Sequence, residues 1–122
     1  MSLVEIVRDE LAPAAVWERA CAADELEPSW GEAILLGTRQ IALFFISADE
    51  IYAVDHLDPD TGAAVMARGI VGSRGDRATV ASPLHKQVYD LGTGTCFGNP
   101  ELLLQTYPTR LVDGVIEIEV PA

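Results

Sequence analysis

"ASPLHKQVYDLGTGTC", residues Ala81 to Cys96, places a histidine in a Pro-containing loop, follows it with a β-prone run and ends on a Gly-rich turn. In sequence, that is how one half of a metal site looks. The other half would have to come from a second loop. Upstream, "IYAVDHLDPDTGA" (Ile51 to Ala63) is the candidate: a strand-like start, then His56, Asp58 and Asp60 around Pro59. The two cysteines, Cys21 and Cys96, lie far apart with no C-x-x-C or C-x-H spacing, so no cysteine-based metal motif can be written.

Outward from these loops, short apolar segments alternate with turn signals, the pattern of an all-β chain. "VWERACA" reads as a strand, and "DELEPSWG" as a loop holding Pro28 and Trp30. "EAILLGTRQIALFFI" gives two strands around Gly37 to Gln40, and the run Ile41 to Ile46 is apolar on both faces, as a central strand is. "SADE" turns the chain into the strand that opens the first loop. "GIVGSRGDRATVASP" reads as strand, Gly-rich turn, strand. "NPELLLQTY" has Asn99 as a cap and Pro100 at a first helical position, which predicts a short helical turn. "YPTRLVDGVIEIEV" is a hairpin closed by Asp113-Gly114, with Ile116, Ile118 and Val120 on one face and Val115, Glu117 and Glu119 on the other. About ten short strands in one small domain make a compact antiparallel β-sandwich or barrel.

At 122 residues without a composition break, one domain is expected: residues 14–122, after a tail of residues 1–13 that Pro13 closes. A chain of this length buries enough surface for a core that needs no staples. The net charge is -11, from 19 acidic and 8 basic residues, with Lys86 the one lysine. Nucleic-acid backbones and anionic membranes require clustered Lys and Arg, so neither is expected as a partner. An acidic domain suits solubility and docking on a basic protein surface. The first residues, "MSLVEIVRDELAP", lack the basic start and long apolar core of a signal peptide, and no apolar run reaches the ~20 residues of a membrane span. The expected location is the cytoplasm, with both thiols reduced.

Taken together, the two loops resemble the pair of cluster-binding loops of Rieske-type ferredoxin domains. Tyr52, Ala53, Val54, Asp55, Pro59, Gly62 and Ala63 match the first loop's pattern, and Pro83, Leu84, His85, Tyr89, Asp90 and Gly94 match the second. The resemblance extends from Val16 to Val120 and implies a Rieske-like fold with two protruding loops. It also shows where the ligands would stand. Asp58 occupies the first loop's Cys position, Asp60 its His position and Ser82 the second loop's Cys position; only His85 is of the family's type. Rieske clusters need two thiolates and two imidazoles, and hard oxygen ligands substitute poorly for thiolate.

"GAAVMARGIVGSRG" and "TVASPLHKQVYDLGTGTC" resemble more narrowly the small subunits of assimilatory NAD(P)H-dependent nitrite reductase, a family that keeps the fold without the cluster. That resemblance implies a non-catalytic chain docked on a large subunit, which carries FAD, sirohaem and an iron–sulfur cluster and reduces nitrite to ammonium. This chain has no G-x-G-x-x-G after a strand and no P-loop, and four cluster cysteines cannot be drawn from two. The docking residues expected are Leu84, His85, Lys86 and Gln87 of the second loop, with Trp30 as an aromatic anchor.

Other readings of the same residues stay open at this level. A Rieske ferredoxin electron carrier requires Cys at Asp58 and Ser82. A free-standing regulatory or mononuclear-metal β-domain would function without a large partner, and the metal site would use His56, Asp58, Asp60 and His85, since two imidazoles with carboxylate form a recognised iron site. Against that, Asp58 and Asp60 are ordinary turn-formers around Pro59, and a lone loop histidine is usually a surface hydrogen-bonder. Ser82 lacks the G-x-S-x-G elbow of a nucleophile.

Overall fold

The computed structural model describes residues 15–121, and ten strands form among them. The tail expected over residues 1–13 lies outside the described residues. The strands are β1 (Ala15–Ala22), β2 (Gly31–Leu36), β3 (Arg39–Ser47), β4 (Glu50–Asp55), β5 (Ile70–Arg74), β6 (Arg77–Ala81), β7 (Val88–Asp90), β8 (Thr106–Tyr107), β9 (Thr109–Val112) and β10 (Val115–Pro121). Two single 3-10 turns, Ala23–Glu25 and Met66–Arg68, interrupt them.

The strands form three antiparallel sheets, ordered β1-β10-β9, β2-β3-β4-β8 and β5-β6-β7. Strand β3 lies inside the four-stranded sheet, and Ile41 to Phe44 are wholly buried, as a run apolar on both faces requires. Alternation sends its side chains into two cores. Ile41 and Leu43 pack with Ile116, Ile118 and Val120 of β10, while Ala42 and Phe44 pack with Met66, Val80, Tyr89 and Leu91. The four-stranded sheet is thus the middle layer. The β9–β10 hairpin closes on Asp113 and Gly114, both at positive φ (51° and 79°), the geometry of a type I′ turn.

The helical turn expected in "NPELLLQTY" forms once, with the Asn99 carbonyl accepting the Leu102 amide at 3.1 Å, and is not continued into a helix. Asn99 Oδ1 accepts the Glu101 amide at 3.0 Å, an Asx-turn, and the chain then runs extended. Thr95 bridges Leu103 and the Leu104 amide donates to the Gly94 carbonyl at 2.8 Å, so tertiary pairing takes the backbone groups a helix would use. Thr106 and Tyr107 become β8 at the edge of the middle sheet.

Candidate functional site

Strand β4 delivers the first loop and the β6–β7 connection makes the second. Asp55, the last residue of β4, pairs with Ile41, and the His56 amide still donates to the Gln40 carbonyl at 3.0 Å. Beyond that point the loop folds on itself: the Asp58 amide donates to the Ala63 carbonyl (2.8 Å) and the Gly62 amide to the Asp58 carbonyl (2.6 Å). The second loop is closed by the Ser82 amide donating to the Gln87 carbonyl at 2.8 Å.

The two loops meet through the four positions that the sequence singles out. Ser82 Oγ donates to Asp58 Oδ2 at 2.5 Å, with Asp58 0% and Ser82 1% exposed. Asp58 Oδ1 accepts the Asp60 amide at 2.7 Å, and Ser82 Oγ accepts the Leu84 amide at 3.2 Å. Further out, His85 Nδ1 and Asp60 Oδ2 lie 3.0 Å apart in an exposed pair. Each first-loop position is therefore bonded to its counterpart in the second loop. Behind them Tyr89 is wholly buried, and its hydroxyl has no partner among the described residues. Burial, then the Asp58 charge, pushes that phenol up to about 12. At the end of β7, burial pushes the Asp90 carboxyl up, but bonds from Arg77 and from the Gly92 and Thr93 amides outweigh it, so it stays below the usual carboxylate range.

At the tip of the second loop His85 and Lys86 both lie in the left-handed region (φ 60° and 56°). Two consecutive non-glycine residues there cost roughly 1–2 kcal/mol each, strain that persists only where the surrounding structure holds it. Leu84, His85 and Lys86 are exposed, as is Leu57 of the first loop. Gln87 is half-buried and turns inward, where its Oε1 accepts the Cys96 thiol at 3.4 Å. Cys21 and Cys96 are both free. Trp30, 73% exposed, does not join the tip. It precedes Gly31, which pairs with Phe44, whereas the first loop leaves from the level of Gln40 and Ile41. Four residues of strand separate the two, roughly 13 Å.

The mononuclear set His56, Asp58, Asp60 and His85 is not assembled. His56 is buried elsewhere, its Nδ1 accepting the Ala67 amide at 3.1 Å. Among the described residues no group of three or more His, Cys, Asp or Glu side chains stands close enough to hold a metal ion. Burial holds the His56 imidazole below its ordinary pKa, and the acceptor role of Nδ1 requires the neutral ring. A two-iron cluster does not fit the tip either. Its thiolate positions hold a carboxylate and a hydroxyl bonded to each other, and one imidazole position holds a carboxylate bonded to the remaining histidine.

Residues 16–119 match the family of the Rieske-like [2Fe-2S] domain. The chain is 32% identical over 103 residues to the nitrite reductase (NADH) small subunit of Escherichia coli, covering 84% of this chain and 95% of that one. A crystal structure from Mycobacterium tuberculosis, described as an NADH-dependent nitrite reductase small subunit, superposes with a TM-score of 0.83 at 43% identity, over 89% of this chain and 98% of that one. A nitrite reductase [NAD(P)H] large subunit of Klebsiella oxytoca is 35% identical over 104 residues, 85% of this chain but 11% of that much longer one.

Proposed function

The chain belongs to the Rieske-like domain family, and from that premise we propose that it is the small subunit of an NAD(P)H-dependent nitrite reductase, docked on a large subunit. One observation carries the reading. The four cluster-ligand positions have become two hydrogen-bonded pairs, Asp58 with Ser82 and Asp60 with His85, on a scaffold that otherwise matches small subunits along its length. Those pairs hold the loops together as the ligands of a cluster would, and they supply no redox group. The chain then contributes a surface to an oxidoreductase complex. FAD, sirohaem and the iron–sulfur cluster belong to the large subunit, in the cytoplasm. At the tip, Leu84 and Leu57 offer apolar contact and Lys86 a cation, held forward by the strained turn.

The test is to purify the chain alone and with its large subunit. Alone, it should be colourless and should not oxidise NADH in the presence of nitrite. Mixed with the large subunit, it should co-elute, and Lys86→Glu or Leu84→Ala should weaken that association. Stoichiometric iron and sulfide in the isolated chain after anaerobic purification, or nitrite-dependent NADH oxidation by it, overturns the proposal.

A further inference from the structure

Five strands other than β2 end a sheet or stand at its margin, and each is blunted. Strand β1 has a register break between Arg19 and Cys21 and carries Glu18 and Arg19. Strand β9 carries Arg110, paired with Glu117. Strand β5 carries Gly72 and Arg74, while β7 and β8 span three and two residues. These are the devices by which sheet edges avoid pairing with other chains. Strand β2 carries a single charge, Glu32, and neither a register break nor a very short span blunts it. Its six residues, "GEAILL", contain no Lys, Arg or Pro and pair with β3 in unbroken register.

The direction of its free backbone groups follows from the ladder. The Gln40 carbonyl accepts from the His56 amide, so Gln40 is turned toward β4 and its partner Leu35 is turned away from β3. By alternation Ala33 and Gly31 are turned away too. Gly31 is covered, since a Cβ there would lie 2.2 Å from the Ala67 carbonyl oxygen. Ala33 and Leu35 are exposed, and no backbone bond outside the ladder reaches them among the described residues. They leave two amides and two carbonyls open to a new strand. The side chains on the same face line a cavity of 320 Å³ made by Ala33, Leu35, Thr38, Gln40 and His56, with Ile34 behind. Past His56 and Ala33 a second cavity of 270 Å³, with Glu32 on its wall, continues to Arg68. Because His56 Nδ1 is an acceptor, the neutral ring carries its proton on Nε2, a donor without a partner among the described residues. Trp30, the most exposed tryptophan, adjoins the same edge.

We propose that β2 is a second docking surface, where an extended segment of the large subunit adds a strand to the middle sheet along Ala33 and Leu35. The segment is apolar at alternate positions and carries one oxygen-bearing side chain that accepts from His56 Nε2–H beside Arg68. Backbone bonds give such an augmented strand its affinity, and the cavity gives it selectivity. A second copy of this chain is the poorer occupant, because pairing β2 with β2 sets one net charge of -11 against another. In the Klebsiella oxytoca relative this domain is 11% of a single large-subunit chain, so the rest of a reductase lies within covalent reach of it.

The inference rests on the docking function proposed above, and the test separates the two. The full chain is titrated with the large subunit as wild type, Ala33→Pro and Leu35→Lys. Pro at Ala33 removes only an outward amide and leaves the β2–β3 ladder intact. Both variants should bind at least tenfold more weakly, and the wild-type amides of Ala33 and Leu35 should exchange hydrogen more slowly in the complex. If Ala33→Pro fails to fold, Leu35→Lys and the amide exchange still decide. Wild type that binds, with both edge variants binding equally and both amides unprotected, overturns the β2 surface and leaves the docking function standing. Wild type that does not bind overturns both. Concentration-dependent protection of the two amides in the chain alone overturns the large subunit as occupant in favour of a second copy.

Discussion

Asp58 and Ser82 show how a pair of side chains takes over the mechanical work of a cluster. A carboxylate that is 0% exposed is tolerable only with its oxygens satisfied, and it has two donors: the Ser82 hydroxyl and the Asp60 amide. The bond between them joins loops 24 residues apart. Ser82→Ala removes one donor and leaves the carboxylate buried, which should cost about 2 kcal/mol, the range for hydrogen bonds to charged groups. The exposed pair sets the comparison. His85→Ala breaks its contact with Asp60 in water and should change stability by no more than about 0.5 kcal/mol. Urea unfolding midpoints of the two variants check this, and equal losses would remove the special role given to the buried pair. The identities of these residues were legible in the sequence, because the loop patterns surround them. Their pairing was not, since it depends on how β4 and β6 bring two distant turns together.

Hairpins were the most legible elements because their chemistry is local. Asp113-Gly114 specifies a type I′ turn within four residues, and β9 and β10 follow on either side. "NPELLLQTY" shows the opposite case: a good helix start whose backbone groups are claimed from elsewhere in the fold. Gly94 is the residue that claims them. It sits at φ 82°, donates its amide to the Asp90 carbonyl at 2.7 Å and accepts from the Leu104 amide at 2.8 Å. A Cβ there would lie 1.9 Å from the Leu104 carbonyl oxygen, which is backbone and cannot step aside. Gly94→Ala should therefore cost about 3 kcal/mol or more, combining the left-handed penalty with overlap. Gly114→Ala, at a similar φ in open space, should cost only the first part, about 1 kcal/mol. Thermal melts of both variants check the difference, and equal shifts would mean that the Gly94–Leu104 contact does not hold this segment. The exposed edge of β2 was likewise beyond sequence reading. Its apolar run marks a strand, but which strands flank it is decided only when the sheets form.

Across the whole molecule the charge and the scaffold lead to one kinetic expectation. The strands' apolar faces fill two cores, and both cysteines are free thiols. What remains to recognise a partner is shape and field. With 19 acidic against 8 basic residues, the field is negative at a distance, and it draws in a surface of opposite sign before any side chain touches. Lys86 at the tip and Arg68 beside the β2 edge are local exceptions that fix orientation after encounter. Long-range attraction acts on the association rate and short contacts on dissociation. Raising salt from about 0.05 M to about 0.5 M shortens the screening length from more than ~10 Å to less than ~5 Å. Association with the large subunit should then slow by roughly tenfold while dissociation changes little. Stopped-flow or surface-binding kinetics over that range measure both rates. A salt-insensitive association rate would show that the acidic field plays no part in docking, and that apolar contact at the tip and the β2 edge must bring the subunits together alone.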